Sequence, residues 1–220
     1  MKHHTHFQII QPKDQFWVEI YHLMNSIVQP RPIAWISSIS PAGQVNLAPF
    51  SYFNICSMNP PIISNSIFYN RDGSEKDTLR NIKATGKYVV GTVSYEASEK
   101  ANLSSAPYDS TVNEFEAADV LAVDRGAGQP PFIGESPVQL VCRLHQTISL
   151  GEGAGVGTLV LGRVEEIHLS QNLKDFEWKE GVPPEQMDTV GRMGSDFYTK
   201  TRETFRIPRA TVNKGHFGKL

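Results

Sequence analysis

The sequence predicts a mainly β fold with short helices, an antiparallel barrel. Six or more short runs of strand composition are separated by turns that carry Gly and Pro. One run, Pro137 to Leu150, alternates with period two. Val138, Leu140, Cys142, Leu144 and Ile148 share one parity, and Gln139, Arg143 and His145 share the other, with Val141 the exception. Regular alternation of strand and helix is missing, and no GxGxxG opens a helix after a strand, which argues against a doubly wound dinucleotide-binding sheet.

Taken in order, residues 1–27 form an entry arm in which Phe16, Ile20 and Leu23-Met24 recur at near-helical spacing after Asp14. Ile33–Ile39 and Val45–Phe53 read as strands, joined by Ser40-Pro41-Ala42-Gly43, whose Pro and Gly are turn residues. Asn59-Pro60-Pro61 breaks the chain, and Ile62–Tyr69 is a further strand. A turn at Asp72-Gly73 leads to a helix over 75–86, with Asp77 or Thr78 as its cap and Gly86 as its exit. Tyr88–Ser94 is a strand and Ala97–Ala106 a second helix. Thr111 and Glu114 have capping-box spacing for a third helix through Ala118. Leu121–Val123 starts a strand, and 126–131 is a loop.

The glycine-rich stretch 151–157 lacks the Lys-Ser/Thr of a P-loop and reads as a hairpin connection between Pro137–Leu150 and Thr158–Leu169. Gly162 marks a bulge in the second of these strands. Residues 170–188 are a polar surface excursion, Gly191–Gly194 is tight-turn material, Phe197-Tyr198 closes the barrel, and 207–220 is a basic tail. The 220 residues are read as one domain.

Net charge is −2, with no basic excess of the kind a nucleic-acid binder carries. Cys56 and Cys142 stand far apart and have no metal-type spacing, as in a reduced intracellular protein. No run approaches the roughly eighteen apolar residues of a membrane helix. The N-terminus lacks the apolar core of a secretory signal. The expectation is a cytoplasmic protein with neither a nucleic-acid nor a membrane partner. His3, His4 and His6 are read as solvated, and His145 and His168 as structural or exposed.

The stretch around which the chain is organised is Pro30–Asn54, PRPIAWISSISPAGQVNLAPFSYFN. Pro49 offers no N–H to a ladder, so the chain is expected to leave the sheet there. Two readings stay open. One is an edge strand with a bulge; the other is a spot where free N–H groups, the Ser51 hydroxyl and aromatic faces gather around a planar, polar-edged ligand.

RPIAWISSIS and NLAPFSYFN, with KDTLRNI at 76–82, LVLGRVEEIHL at 159–169 and GRMGSDFY at 191–198, resemble the flavin reductase-like, FMN-binding split-barrel family over roughly Val28 to Arg206. The resemblance implies an FMN-binding split β-barrel, antiparallel and of Greek-key type. It also implies a homodimer with FMN near the interface and a flavin-reductase activity. NAD(P)H would be the hydride donor, and another acceptor or a partner monooxygenase would receive the electrons. A non-catalytic FMN-binding electron carrier or flavin store is the alternative.

FMN has three handles to match. For its phosphate, Lys76 offers charge, Thr78 a hydroxyl and the helix start free N–H groups. In the resembled family this Lys-Asp-Thr segment contributes to the phosphate site. Asp77 repels phosphate and is read as a cap or as ordering Lys76. Arg31, set between two prolines, is a second phosphate candidate. Ser37 or Ser38 serves phosphate or ribityl oxygens, only one of them facing the site in a regular strand.

For the ring, Asn46, Ala48, Pro49, Phe50 and Ser51 supply polar edge contacts, and Trp35, Tyr52 or Phe53 shields a face. Arg192 and Tyr198 fall in the family's late segment, which packs near the flavin, and His216 is a candidate for a pyridine-nucleotide phosphate. No side chain is assigned a catalytic role and no metal is expected, because flavin carries its own hydride chemistry.

Overall fold

The structure is a computed structural model that describes residues 8–210. His3, His4, His6, His216 and the tail beyond 210 lie outside the described residues. A single 3-10 turn, Pro12–Asp14, precedes helix α1, Trp17–Ile27. Strands β1 (Ala34–Ile39) and β2 (Val45–Phe50) form the first hairpin. Gly43, at φ +87°, closes its turn by donating its N–H to the Ser40 carbonyl at 2.9 Å. β3 (Phe53–Met58) and β4 (Pro61–Phe68) form the second hairpin, followed by α2 (Asp77–Thr85) and β5 (Lys87–Thr92). Two short helices, α3 (Ser98–Leu103) and α4 (Glu114–Ala117), precede the small pair β6 (Ala122–Val123) and β7 (Phe132–Ile133). The long hairpin β8 (Val138–Ser149) and β9 (Gly157–Leu169) follows, then α5 (Pro184–Met187), β10 (Val190–Arg192) and β11 (Tyr198–Lys200).

Seven strands make one antiparallel sheet in the order β2-β1-β5-β8-β9-β4-β3. Its two edge strands are consecutive in sequence and joined only by Ser51-Tyr52, so the sheet must roll up. The packing shows that it does. Ala34 and Ile36 of β1 share one buried cluster with Ile63 and Ile67 of β4 and Val160 and Val164 of β9. Helix α2 plugs this interior with Leu79 and Ile82. Burying an aliphatic side chain of that size stabilises by about 1.5–3 kcal/mol. The opposite faces of β1 and β2 present Trp35 and Leu47, joined by Val93 just past the end of β5, to Ala97, Ala101 and Phe115, which form a second core under α3 and α4. The mainly β, antiparallel expectation agrees with this architecture.

Several local expectations need correction. The ladder does not break at Pro49, which pairs in register with Trp35. β2 is an edge strand. The Leu47 N–H points off that edge, to Glu114 Oε2 at 3.1 Å. Alternation then points position 49 the same way, where no partner strand asks for an N–H. The break falls at Ser51-Tyr52, and Asn54–Met58, given no element from the sequence, continues as β3. Thr111 makes no capping box; its hydroxyl and N–H go to Asp109 Oδ1, and Asn113 caps α4 through the Phe115 N–H at 3.1 Å. Phe197-Tyr198 does not close the barrel: among the described residues β11 pairs with β10 alone, in a sheet of their own.

The bulge expected at Gly162 is there, with its extra residue, His145, on the facing strand β8: Gly162 pairs with Ile63 and with Leu144, at the Leu144/Gln146 register shift. The smallness of Gly162 has another cause: a Cβ there would lie 1.6 Å from the Tyr88 hydroxyl oxygen.

Asn65 of β4 is 2% exposed. Its pairing partners are Phe53 and Val160, and neither its amide nitrogen nor its oxygen has a partner among the described residues. An amide buried without partners costs about 1–3 kcal/mol. Asn65→Val is therefore expected to raise stability by roughly 1 kcal/mol, read as a higher denaturant midpoint at unchanged slope. A lower midpoint would mean that the amide is satisfied in solution.

Candidate functional site

A cavity of about 870 Å³ opens beside the Ser51-Tyr52 link between β2 and β3. Its walls are the end of β2 with Ser51-Tyr52, the end of β4 with the loop 69–72, the start of α2, and the α3–α4 connection. Lys76, Asp77 and Thr78 therefore share one cavity with Asn46, Ala48, Pro49, Phe50, Ser51 and Tyr52.

One end is built for an anion. Lys76 is the N-cap of α2, and no side chain caps the first turn, so the free N–H groups face outward with the positive end of the helix dipole. The Lys76 ammonium is steadied by Asn70 Oδ1 at 3.2 Å. Asn46 Nδ2 donates to Thr78 Oγ1 at 2.8 Å, which leaves the threonine hydroxyl proton free for a ligand. Asp77 neither caps the helix nor orders Lys76; its carboxylate is paired with Arg80. A second bond, Asn81 Nδ2 to Ser38 Oγ at 3.2 Å, fixes α2 to β1.

The other end is aromatic. The Tyr52 and Phe68 rings stand 4.8 Å apart. The Tyr52 hydroxyl donates to Asn25 Oδ1 at 2.8 Å, and burial together with nearby Tyr21 raises its pKa. Ser66, between these rings in sequence space, donates its N–H to the Tyr52 carbonyl at 2.9 Å. Its Oγ is buried and has no partner among the described residues. Glu114 lines the cavity wall, and burial raises its carboxyl pKa, against the lowering effect of the Leu47 N–H.

Five sequence candidates lie outside the cavity lining. The Arg31 guanidinium is 7% exposed and already engaged. It donates to the carbonyls of Asn25 (2.6 Å), Val28 (2.8 Å) and Met193 (2.8 Å) and to Ser51 Oγ (3.4 Å). It ties α1 and β10 to the end of the cavity rather than presenting charge to a ligand. Trp35 is fully buried in the outer core, its indole N–H bonded to Ser104 Oγ at 3.0 Å. Ser37 and Ser38 are both fully buried because β1 is packed on both faces. Phe53 packs against the inner core.

Arg192 and Tyr198 stack on each other, 4.4 Å from guanidinium to ring, and neither lines the cavity. His168 is exposed and meets Glu166 at 2.6 Å, and His145 is exposed on β8.

Sequence reasoning missed Ser66, Phe68, Arg71, Tyr108 and Glu114 in the lining. For Ser66 and Phe68 a signal existed. The run IISNSIFY alternates, so Ile63, Asn65 and Ile67 take the inner face and Ser64, Ser66 and Phe68 the other. Glu114 had none, since its contact with Leu47 spans 67 residues.

Residues 24–182 match the family model described as the flavin reductase like domain. A protein of Halalkalibacterium halodurans is 34% identical over 198 residues, covering 89% of this chain and 93% of its own length. Nitrilotriacetate monooxygenase component B from Bacillus cereus superposes with a TM-score of 0.85 at 29% identity, over 92% of this chain and all (100%) of the other. A 2-nitrobenzoate 2-nitroreductase from Pseudomonas fluorescens gives 0.80 at 25% identity, over 95% and 100%.

Proposed function

The chain belongs to the flavin reductase-like family of split-barrel proteins, and on that premise we propose that it is an FMN-binding oxidoreductase of the flavin reductase type. Its hydride donor is NAD(P)H, and its electrons pass to a further acceptor or to a partner monooxygenase. The observation that carries this reading is the single cavity with an anion-binding end at α2 and an aromatic end at Tyr52 and Phe68.

The residues present fit FMN. The uncapped start of α2, Lys76 and the Thr78 hydroxyl would hold the phosphate. Asn46 would meet the ribityl hydroxyls, and Tyr52 and Phe68 would cover the ring. When bound, the flavin supplies the hydride chemistry. The chain's own part is to bind it, orient it and limit water. Arg31 serves that by holding Ser51, and Asn25 by holding Tyr52.

The protein acts as a homodimer with FMN near the interface. In support, Trp17, Met24 and Ile27 of α1, with Ile55 and Met58 of β3, stay exposed at 42–73%. Tyr21 of the same helix packs edge-on against Phe68 at 6.5 Å, so a partner covering α1 would border the cavity. No helix among the described residues is long and apolar enough to cross a membrane. We place the protein in the cytoplasm as one domain over 1–220, ending in the basic tail 207–220.

Glu114 gives this reading a pH signature. Its folded pKa lies above the unfolded value, so the stability it contributes is complete below the unfolded range and is lost as pH rises through the raised range. At neutral pH its charge faces the anion end, close enough to repel Asp77. Glu114→Gln keeps an acceptor for the Leu47 N–H and removes that charge. It is expected to bind FMN roughly twofold to fivefold more tightly at neutral pH. The advantage should disappear as pH falls and the parent's Glu114 protonates. Flavin fluorescence titrations of both proteins across pH check this; a ratio that does not vary with pH contradicts it.

The direct test is the visible spectrum of the protein with one equivalent of FMN, repeated after anaerobic NADH or NADPH. A bound-flavin spectrum that bleaches with the nucleotide supports the reductase. A bound flavin inert to both nucleotides supports the carrier. Unperturbed FMN with no gain in melting temperature refutes both.

A further inference from the structure

We propose that Ser66 is a cofactor-contacting residue whose hydroxyl donates to an acceptor on the flavin ring edge and makes the bound flavin easier to reduce. This rests on the flavin reading above.

A serine hydroxyl removed from water and left without a partner is costly, and native structures rarely keep one without a reason. The Ser66 Oγ is in that state among the described residues, on the wall of the cavity. The neighbouring hydroxyls differ. Ser51 accepts from Arg31, Tyr52 donates to Asn25, and Thr78 accepts from Asn46. The Ser66 backbone is fixed, because its N–H is bonded to the Tyr52 carbonyl and β4 pairs through it with β9. The hydroxyl therefore has little freedom to find a protein partner elsewhere.

The space around it is kept clear. Across the ladder from Phe68 stands Gly157. A Cβ at Gly157 would lie 2.5 Å from Ser66 Oγ and 2.6 Å from Phe68 Cδ1. Glycine there leaves the hydroxyl and the Phe68 ring their positions on the wall. Ser66 also shares its strand face with Phe68, whose ring meets Tyr52. The unmatched donor thus sits at the aromatic end. A donor aimed at a ring carbonyl or ring nitrogen gains strength as the ring takes up electrons, so it favours the reduced form.

Ser66→Ala removes the donor, and Ser66→Cys keeps the shape in a slightly larger side chain with a much weaker donor. For both, the oxidised-FMN dissociation constant is expected to rise about threefold to tenfold. The reduction potential, read by equilibration with a redox dye, is expected to move to more negative values, by more in Ser66→Ala than in Ser66→Cys. Melting temperature without FMN should not fall, since an unmatched hydroxyl is being removed. If both variants match the parent in potential, spectrum and affinity, Ser66 does not touch the ring and only this proposal fails. If the parent itself binds no flavin, the functional reading fails with it.

Discussion

Lys76→Ala is expected to weaken FMN binding by about tenfold to a hundredfold, the range of one charge-assisted hydrogen bond, while riboflavin binding stays unchanged. The reason is local. Lys76 caps α2 only through its backbone, and the helix keeps its free N–H groups whatever side chain stands there. The lysine's one hydrogen bond among the described residues, to Asn70 Oδ1, is partly exposed, so its loss should cost well under 1 kcal/mol of stability. Fluorescence titration with the two flavins, alongside a melting curve, separates these effects. Equal losses for FMN and riboflavin would place the phosphate elsewhere.

The second large effect concerns the barrel. Gly162→Ala is expected to destabilise by about 3 kcal/mol, the upper part of the usual overpacking range. The new Cβ would stand 1.6 Å from the Tyr88 hydroxyl oxygen and 2.6 Å from its Cζ. Tyr88 is 1% exposed and packed with Cys142 in the inner core, so the ring has nowhere to go. For a chain of this size the melting temperature should drop by roughly 6–12 °C. Adding Tyr88→Phe removes the closest atom and should recover part of the loss, a coupling that a double-mutant cycle reads directly. A Gly162→Ala protein as stable as the parent would show that β9 shifts to make room.

The parts of this fold that can be read from sequence are those whose cause is local. Gly86 ends α2 in the left-handed region at φ +68°, as a C-cap glycine does. The period-two run from Val138 becomes the first strand of the long hairpin, and Lys76-Asp77-Thr78 opens a helix as its residue types suggest. What was misread depends on distant partners. Pro49 predicts a departure from the ladder only if a strand lies on its open side, and whether one does is a property of the whole sheet. Arg31 looks like a free cation in sequence. In the fold its charge is absorbed by carbonyls 3, 6 and 162 residues away. Trp35 looks like a ring-stacking wall but is drawn inward by Ser104, 69 residues on.

The same division holds within the site. The anion end was visible because a helix start, a lysine and a hydroxyl are adjacent in the chain. The aromatic end was half visible: Tyr52 lies in the resembling segment, whereas Phe68 and Ser66 come from β4 and meet it only at the open end of the β3–β4 hairpin.

The central claim is that one cavity grips a flavin by its phosphate at α2 and by its ring at Tyr52 and Phe68. The most direct measurement is the ratio of dissociation constants for riboflavin and FMN in the unaltered protein at moderate salt. FMN is expected to bind at least about a hundredfold more tightly, since the lysine, the helix N–H groups and the Thr78 hydroxyl would all meet its phosphate. Equal affinities, or no binding of either flavin, would contradict it.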